Sequence, residues 1–315
     1  MKQYLLVPPG IRNLATQGND QSRVGDKVVR NARMNTIANI EQKIHDQSPL
    51  PVQVDIISPE PPYFEYFTYC DLLGGILLQS GSVEIAARLT KQNVNDDRAV
   101  SEFQMEWAWD KYALGDAPPE FRGDIAFLPG SNLLHVIDQG ILARLNDKGW
   151  YVKPHPITSE QTLLDLGKLF GYNRVFSNMV SGHNLIKSAT SVATTQASEF
   201  FVLAGLMKKP IIDLTKYEYS WTLAYQVFGV VHSSDIETNY RNMNRALMHP
   251  ASGWIHPSMS ELEIDMRINE YIVQAMKMRE SFKMVSSQRL SGKINSLKHW
   301  EQQVVSKQGP RPQQE

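Results

Sequence analysis

A single cysteine, Cys70, occurs in 315 residues, which excludes an intrachain disulfide and any zinc site built on several cysteines. That usage suits a reducing compartment, and the expected location is cytoplasmic. Long apolar runs are also lacking. Each hydrophobic stretch is short and broken by glycine or polar residues, far below the roughly 18–20 residues of a membrane-spanning helix. The opening MKQYLLVPPG holds one lysine and a brief apolar stretch. It reads as a strand at Tyr4–Val7 ended by a Pro-Pro-Gly turn, not as a secretion signal. Neither Asp-X-Asp nor HExxH occurs, so no metal site is expected. Net charge is nearly absent at -1, which excludes a generic polyanion binder. Internal repeats and low-complexity tracts are missing as well.

What charge there is lies unevenly. Residues 1–122 carry 12 Lys/Arg against 16 Asp/Glu, whereas residues 277–315 carry 8 Lys/Arg against 3 Glu. Arg12–Lys43 also leans basic, with six positive and three negative side chains. Such stretches read either as solvated helix faces or as a local surface for an anionic acceptor.

The length suits two modest domains. In the first half, helical spacing covers 27–47, a strand covers Val52–Ile57, and an aromatic segment holds Tyr63, Phe64, Tyr66, Phe67 and Tyr69. Apolar stretches at Leu72–Leu78 and Val83–Leu89 predict helices, as does 98–113. Gly115–Gly123, with two prolines and two glycines, is the candidate linker.

The second half alternates more clearly. Strands are predicted at Asp124–Leu128, Trp150–Lys153, Val175–Phe176, Ser191–Thr195 and Pro210–Leu214. Helices are predicted at 133–147, 159–170 (capped by Ser159), 182–188 and 198–207. Strand–helix alternation at this spacing indicates a parallel sheet covered on both faces. The expected organisation is an α/β protein of two Rossmann-like domains facing a cleft. Residues 1–122 would form the first domain and 123–259 the second. Helices at 260–306 would follow, then a disordered tail at 307–315.

In a parallel sheet, ligands sit beyond the carboxyl ends of the strands, so the turns there carry the candidates. Lys153-Pro154-His155-Pro156 fixes the backbone around one imidazole. His155 then either donates to a phosphate, with Lys153 adding charge, or is a surface histidine on a rigid turn. Thr194-Thr195-Gln196-Ala197-Ser198-Glu199 joins a strand to a helix. Its hydroxyls and free N–H groups suit a diphosphate, and Glu199 could reach a ribose diol. The alternative is ordinary capping, with Glu199 complementing the helix dipole. Pro129-Gly130-Ser131-Asn132 is a third, less specific turn, with Ser131 as its candidate.

Taken together, the KPHP turn and the stretch SGHNLIKSATSVATTQASEFFVLAGLMKKPIIDL resemble the C-terminal domain of glycosyltransferases of the GT-B fold. The likeness is to bacterial capsule and lipopolysaccharide sugar transferases with a His-Pro motif, and it covers about residues 124–214. The matching residues are His155-Pro156, Ser188, Thr194-Thr195, Ser198-Glu199 and Lys209-Pro210. Ser198 stands where that family commonly has glycine, and Lys208 stands for the glycine of Gly-Lys-Pro. The resemblance implies that His155 and the Thr195–Ser198 turn contact donor phosphates and that Glu199 contacts ribose or sugar. It implies a metal-independent reaction with the nucleotide sugar as co-substrate and no other cofactor.

An inverting reaction needs a general base from the first half. Asp20 is the candidate with the best loop setting, beside Glu60, Glu65 and Asp71, each of which also reads as a surface carboxylate. The aromatic segment Tyr63–Tyr69 reads as core or as a stacking platform for a sugar or base. The expected acceptor is a bacterial saccharide. The alternative is a hydroxymethylated base in DNA, as modified by some bacteriophage glycosyltransferases, which would bring strong salt dependence and base extrusion. A sugar-nucleotide epimerase and a non-catalytic nucleotide-binding module are the other readings.

Overall fold

Gly123–Phe127 (β4) sets the architecture, because its residues alternate between two cores. Ile125 and Phe127 face one, Ala126 and Leu128 the other. That period of two on a strand buried on both faces is the signature of a central parallel strand. The computed structural model describes residues 38–50, 52–54, 67–79, 98–103, 121–129, 137–156, 158–178, 180–196, 198–215 and 232–277.

Before β4 come α1 (Ala38–Gln47), β1 (Val52–Val54), β2 (Phe67–Leu72) and β3 (Gly75–Gln79). After it come α2 (Gln139–Asp147), β5 (Tyr151–Lys153), α3 (Glu160–Phe170), α4 (Gly182–Ser188), β6 (Ala189–Thr194), α5 (Glu199–Leu206), β7 (Ile211–Asp213), α6 (Ile236–Met248) and β8 (Trp254–Ile255). Helix α7 covers 261–277.

Four strands form an all-parallel sheet in the order β5-β4-β6-β7. Val175 extends it beside β5 through a parallel bridge to Val152. Numbered along the chain, the five positions run 3-2-1-4-5, the doubly wound order of a Rossmann-like sheet, reversing between β4 and β6. Helices α2 and α3 cover one face through Leu142, Leu145, Leu163, Leu166 and Phe170. Helices α4 and α5 cover the other through Leu185, Ile186, Phe201 and Val202.

The elements expected here largely stand, with three corrections. The predicted helix 133–147 starts at Gln139, because Asp138 caps it by accepting from the Ile141 N–H and Ile137 joins a bridge to Thr215. Ser159 caps α3 as expected, accepting from the Thr162 N–H. Helix α6 and strand β8, beyond the last strand read from sequence, are additions.

The second correction concerns Leu72–Leu78, which is a β-hairpin rather than a helix. Leu73 and Gly74 both take positive φ, 51° and 75°, making the two-residue turn that joins antiparallel strands. All seven residues are buried, so no polar face marks the period. The hairpin lies in a second, mixed sheet, β1-β2-β3-β8, whose fourth strand comes from the far end of the chain. A Cβ on Gly75 would lie 2.3 Å from the Ile255 carbonyl oxygen, so that pairing requires glycine.

Third, a second facing Rossmann-like domain is not shown by the described residues. The mixed sheet, α1, α6 and α7 share one buried core with the α4–α5 face of the parallel sheet. Arg267 of α7, 1% exposed, donates to the carbonyls of Leu247 and Met248 at the end of α6 and to Glu263. Residues 27–37, 83–89, 104–113, most of the linker, 278–306 and the tail lie outside the described residues.

Candidate functional site

Because the strands are parallel, their carboxyl ends share one edge. Leu128-Pro129 follows β4, the His155 turn follows β5, Ser177-Asn178 follows Val175, Thr195-Gln196 follows Thr194 at the end of β6, and Leu214-Thr215 follows Asp213 at the end of β7. The His155 turn and the Thr194 turn thus flank β4, about 10 Å apart at ordinary strand spacing. They meet where the strand order reverses, the position at which such sheets bind ligands.

The His155 turn is tightly held. Pro154 and Pro156 have no N–H, so the turn offers mainly carbonyls. The Pro154 carbonyl accepts from Lys153 Nζ at 2.6 Å, the His155 carbonyl from the Thr158 N–H at 2.9 Å, and the Pro156 carbonyl from Asn178 Nδ2 at 2.9 Å. His155 itself is half-buried. Lys153 is only 3% exposed, and its Nζ also donates to the Asn178 carbonyl at 3.1 Å. Burial pushes its pKa down to about 7. The lysine expected to charge the phosphate site is therefore engaged by the turn and its neighbour. Thr158, next along, is buried with an Oγ1 that finds no partner among the described residues.

On the β6 side, Thr194 and Thr195 are buried, and Thr194 Oγ1 has no partner among the described residues. The Thr195 carbonyl accepts from the Ser198 N–H at 3.0 Å. Ser198 caps α5, its Oγ accepting from the Phe200 N–H at 3.2 Å. The capping alternative is thus realised at Ser198. Glu199 Oε1 accepts from the Leu73 N–H at 2.8 Å, joining the hairpin to the first residue of α5. Gln196, not singled out from sequence, locks this turn to the end of β7. Its N–H donates to Thr215 Oγ1 at 3.0 Å and its side-chain amide to the Asp213 carboxylate. Asp213 also accepts from the Thr215 N–H at 2.8 Å.

An aromatic wall closes the reversal point. Phe127 and Phe200 stack at 4.2 Å between centroids, and His183 packs on Phe200 at 5.0 Å. Gly182 is required beneath them, since a Cβ there would lie 2.5 Å from the Phe200 ring. Asn178 and Gln196 are legible only through the rule that positions just past strand ends matter, and His183, inside α4, carries no such signal.

Ser188 does not join this group. It precedes Ala189, the first residue of β6, and so lies at the amino edge, about 20 Å of strand away from Thr194. Its Oγ donates to the Leu185 carbonyl at 3.4 Å. Lys209 lies at that same edge, bonded to the carbonyls of Lys187 and Ala189, its pKa lowered by burial and by Arg122. Of the base candidates, Asp71 is on β2 opposite Ile76, while Asp20, Glu60 and Glu65 lie outside the described residues, as does Ser131.

Among the described residues no three His, Cys, Asp or Glu are grouped to hold a metal ion, and no helix is long and apolar enough to cross a membrane. Comparisons with protein-family models, with curated proteins and with solved structures find no match to this chain.

Proposed function

We propose that the carboxyl edge of the parallel sheet binds the diphosphate of a nucleotide sugar, and that the protein transfers the sugar to an acceptor hydroxyl. One observation carries the reading. The His155 turn and the Thr194–Ser198 turn, thirty-nine residues apart between His155 and Thr194, emerge on either side of β4 at the reversal of a doubly wound sheet. Thr194 adds a buried hydroxyl there that has no partner among the described residues.

In such a reaction the leaving nucleotide gains charge as the glycosidic bond breaks. Preorganised donors answer that charge, each worth about 3–4 kcal/mol when well placed. His155 and the hydroxyls of Thr194, Thr195 and Ser198 are assigned that role, and Glu199 the ribose or the sugar. The acceptor side would come from the first half of the chain in a GT-B-like arrangement. The general base belongs there too, with Asp20 first among the candidates. A saccharide is the favoured acceptor, because the overall charge of -1 offers no broad surface for nucleic acid.

The test is a thermal-shift screen of the full chain against nucleoside diphosphates and their sugars, followed by His155→Ala. A donor should raise the melting temperature through linked binding. His155→Ala should weaken that shift and lower turnover at least about tenfold. Absence of a shift with every nucleotide would end the proposal. Turnover of the donor without any acceptor would replace it with the epimerase reading.

A further inference from the structure

One residue from a later segment, Asn178, holds the His155 turn through both its side chain and its carbonyl. Asn178 donates its side-chain amide to the Pro156 carbonyl, and its own carbonyl accepts from Lys153, which in turn holds the Pro154 carbonyl. Asn178 and Lys153 are both buried, at 4% and 3% exposure. A neutral amine has two N–H groups, and Lys153 meets two carbonyls. The ammonium form would carry a third donor into the same enclosed place. The downward push of burial on the Lys153 pKa agrees with that count. The clamp therefore fixes the Pro154 and Pro156 carbonyls on either side of His155, which lies between two prolines whose φ is already set.

We propose that Asn178 is a positioning residue, which through the Pro156 carbonyl and Lys153 holds the His155 imidazole in the orientation that meets a diphosphate at the sheet edge. This rests on the donor-site reading above. Asn178 needs no contact with the ligand, and its effect passes through the backbone it pins.

The experiment uses the full chain with Asn178→Ala, read two ways. In the first, histidine side-chain resonances of the ligand-free protein are followed by NMR through a pH titration, with His155 assigned from His155→Gln. The second is calorimetric titration with inorganic pyrophosphate at low salt. Asn178→Ala should shift or broaden the His155 resonances while leaving those of buried His183 and His256 in place. It should also weaken pyrophosphate binding by about fivefold or more, the loss of roughly one hydrogen bond's worth of organisation. If Asn178→Ala fails to fold, Asn178→Asp keeps the shape, lacks the amide donor and should move His155 in the same way. Unchanged His155 resonances in a folded variant overturn the proposal. If the unmutated protein does not bind pyrophosphate or any nucleoside diphosphate, the donor site fails instead, and the resonances alone decide whether Asn178 orients His155.

Discussion

The Leu73 N–H donates to Glu199 Oε1 at 2.8 Å, binding a hairpin turn to the first residue of a helix 126 positions later. Leu73 is fully buried and holds φ at 51°, a left-handed conformation that a branched side chain adopts at a cost of about 1–2 kcal/mol. The turn is kept there by burial of its side chain and by this bond. Glu199→Gln preserves an acceptor and should leave stability within about 1 kcal/mol. Glu199→Ala removes the acceptor from an enclosed N–H and should cost about 1–3 kcal/mol in urea unfolding. The same pair separates two roles of the residue. If Glu199 also holds ribose, Glu199→Gln lowers nucleoside affinity in a stable protein. Unchanged affinity assigns Glu199 to the hairpin alone.

Legibility followed the physics of each segment. The parallel strands were readable because each is a short apolar run ended by a Pro-, Gly- or Thr-containing turn, and Ser159 announced α3. Leu72–Leu78 misled because burial on both faces erases periodicity, and because Leu at a positive-φ turn position is not a turn signal. Helix α6 carries little apolar periodicity, since IETNYRNMNRALM is mostly polar, although Asp235 caps it by accepting from the Thr238 N–H. Ser188 enters the candidate set only through the resemblance. Strand direction puts it at the amino end of β6. Asn178 lies just past the strand expected at Val175–Phe176, but Ser177-Asn178-Met179 has neither proline nor glycine to mark a turn.

Thr194 offers a test in which stability and binding move in opposite directions. Its Oγ1 is enclosed and lacks a partner among the described residues. Thr194→Val replaces that hydroxyl with a methyl of similar volume. Relief of an unsatisfied polar group should leave the ligand-free protein as stable or more stable, by up to about 1–2 kcal/mol. Where the hydroxyl serves a donor phosphate, the same variant should lose about five- to tenfold in nucleoside diphosphate affinity. Reduced stability together with unchanged affinity would assign Thr194 to packing.

Gly182 tests the aromatic wall. A Cβ there would fall 2.5 Å from one atom of the Phe200 ring and 3.2 Å from Phe127. Gly182→Ala must therefore part the Phe127–Phe200 stack or shift the start of α4. Overpacking of this kind costs about 1–3 kcal/mol. Because Phe200 follows Glu199 and Ser198 directly, nucleotide affinity should fall as well. Urea unfolding and the thermal-shift assay measure the two effects separately, and a neutral variant would mean that the stack yields freely.

Lys153 makes stability depend on pH in a defined window. Burial lowers its pKa in the folded protein to about 7 from the ordinary 10.5. Between those values the unfolded chain holds a proton that the folded chain has released, so raising the pH favours folding. The slope for one such group approaches about 1.4 kcal/mol per pH unit. Below pH 7 both states are protonated, and the penalty for burying the ammonium is present in full. Lys153→Met removes the titrating group while keeping a long apolar stem. The difference in unfolding free energy, native minus Lys153→Met, should therefore rise with pH from about 7 to 9.5, by up to about 3 kcal/mol. Groups such as Lys209 titrate in both proteins and drop out of that difference. Urea unfolding at half-unit pH steps measures it. A flat difference would mean that Lys153 keeps its proton when folded, with a third partner for its ammonium, and that the two-carbonyl clamp on the His155 turn does not stand.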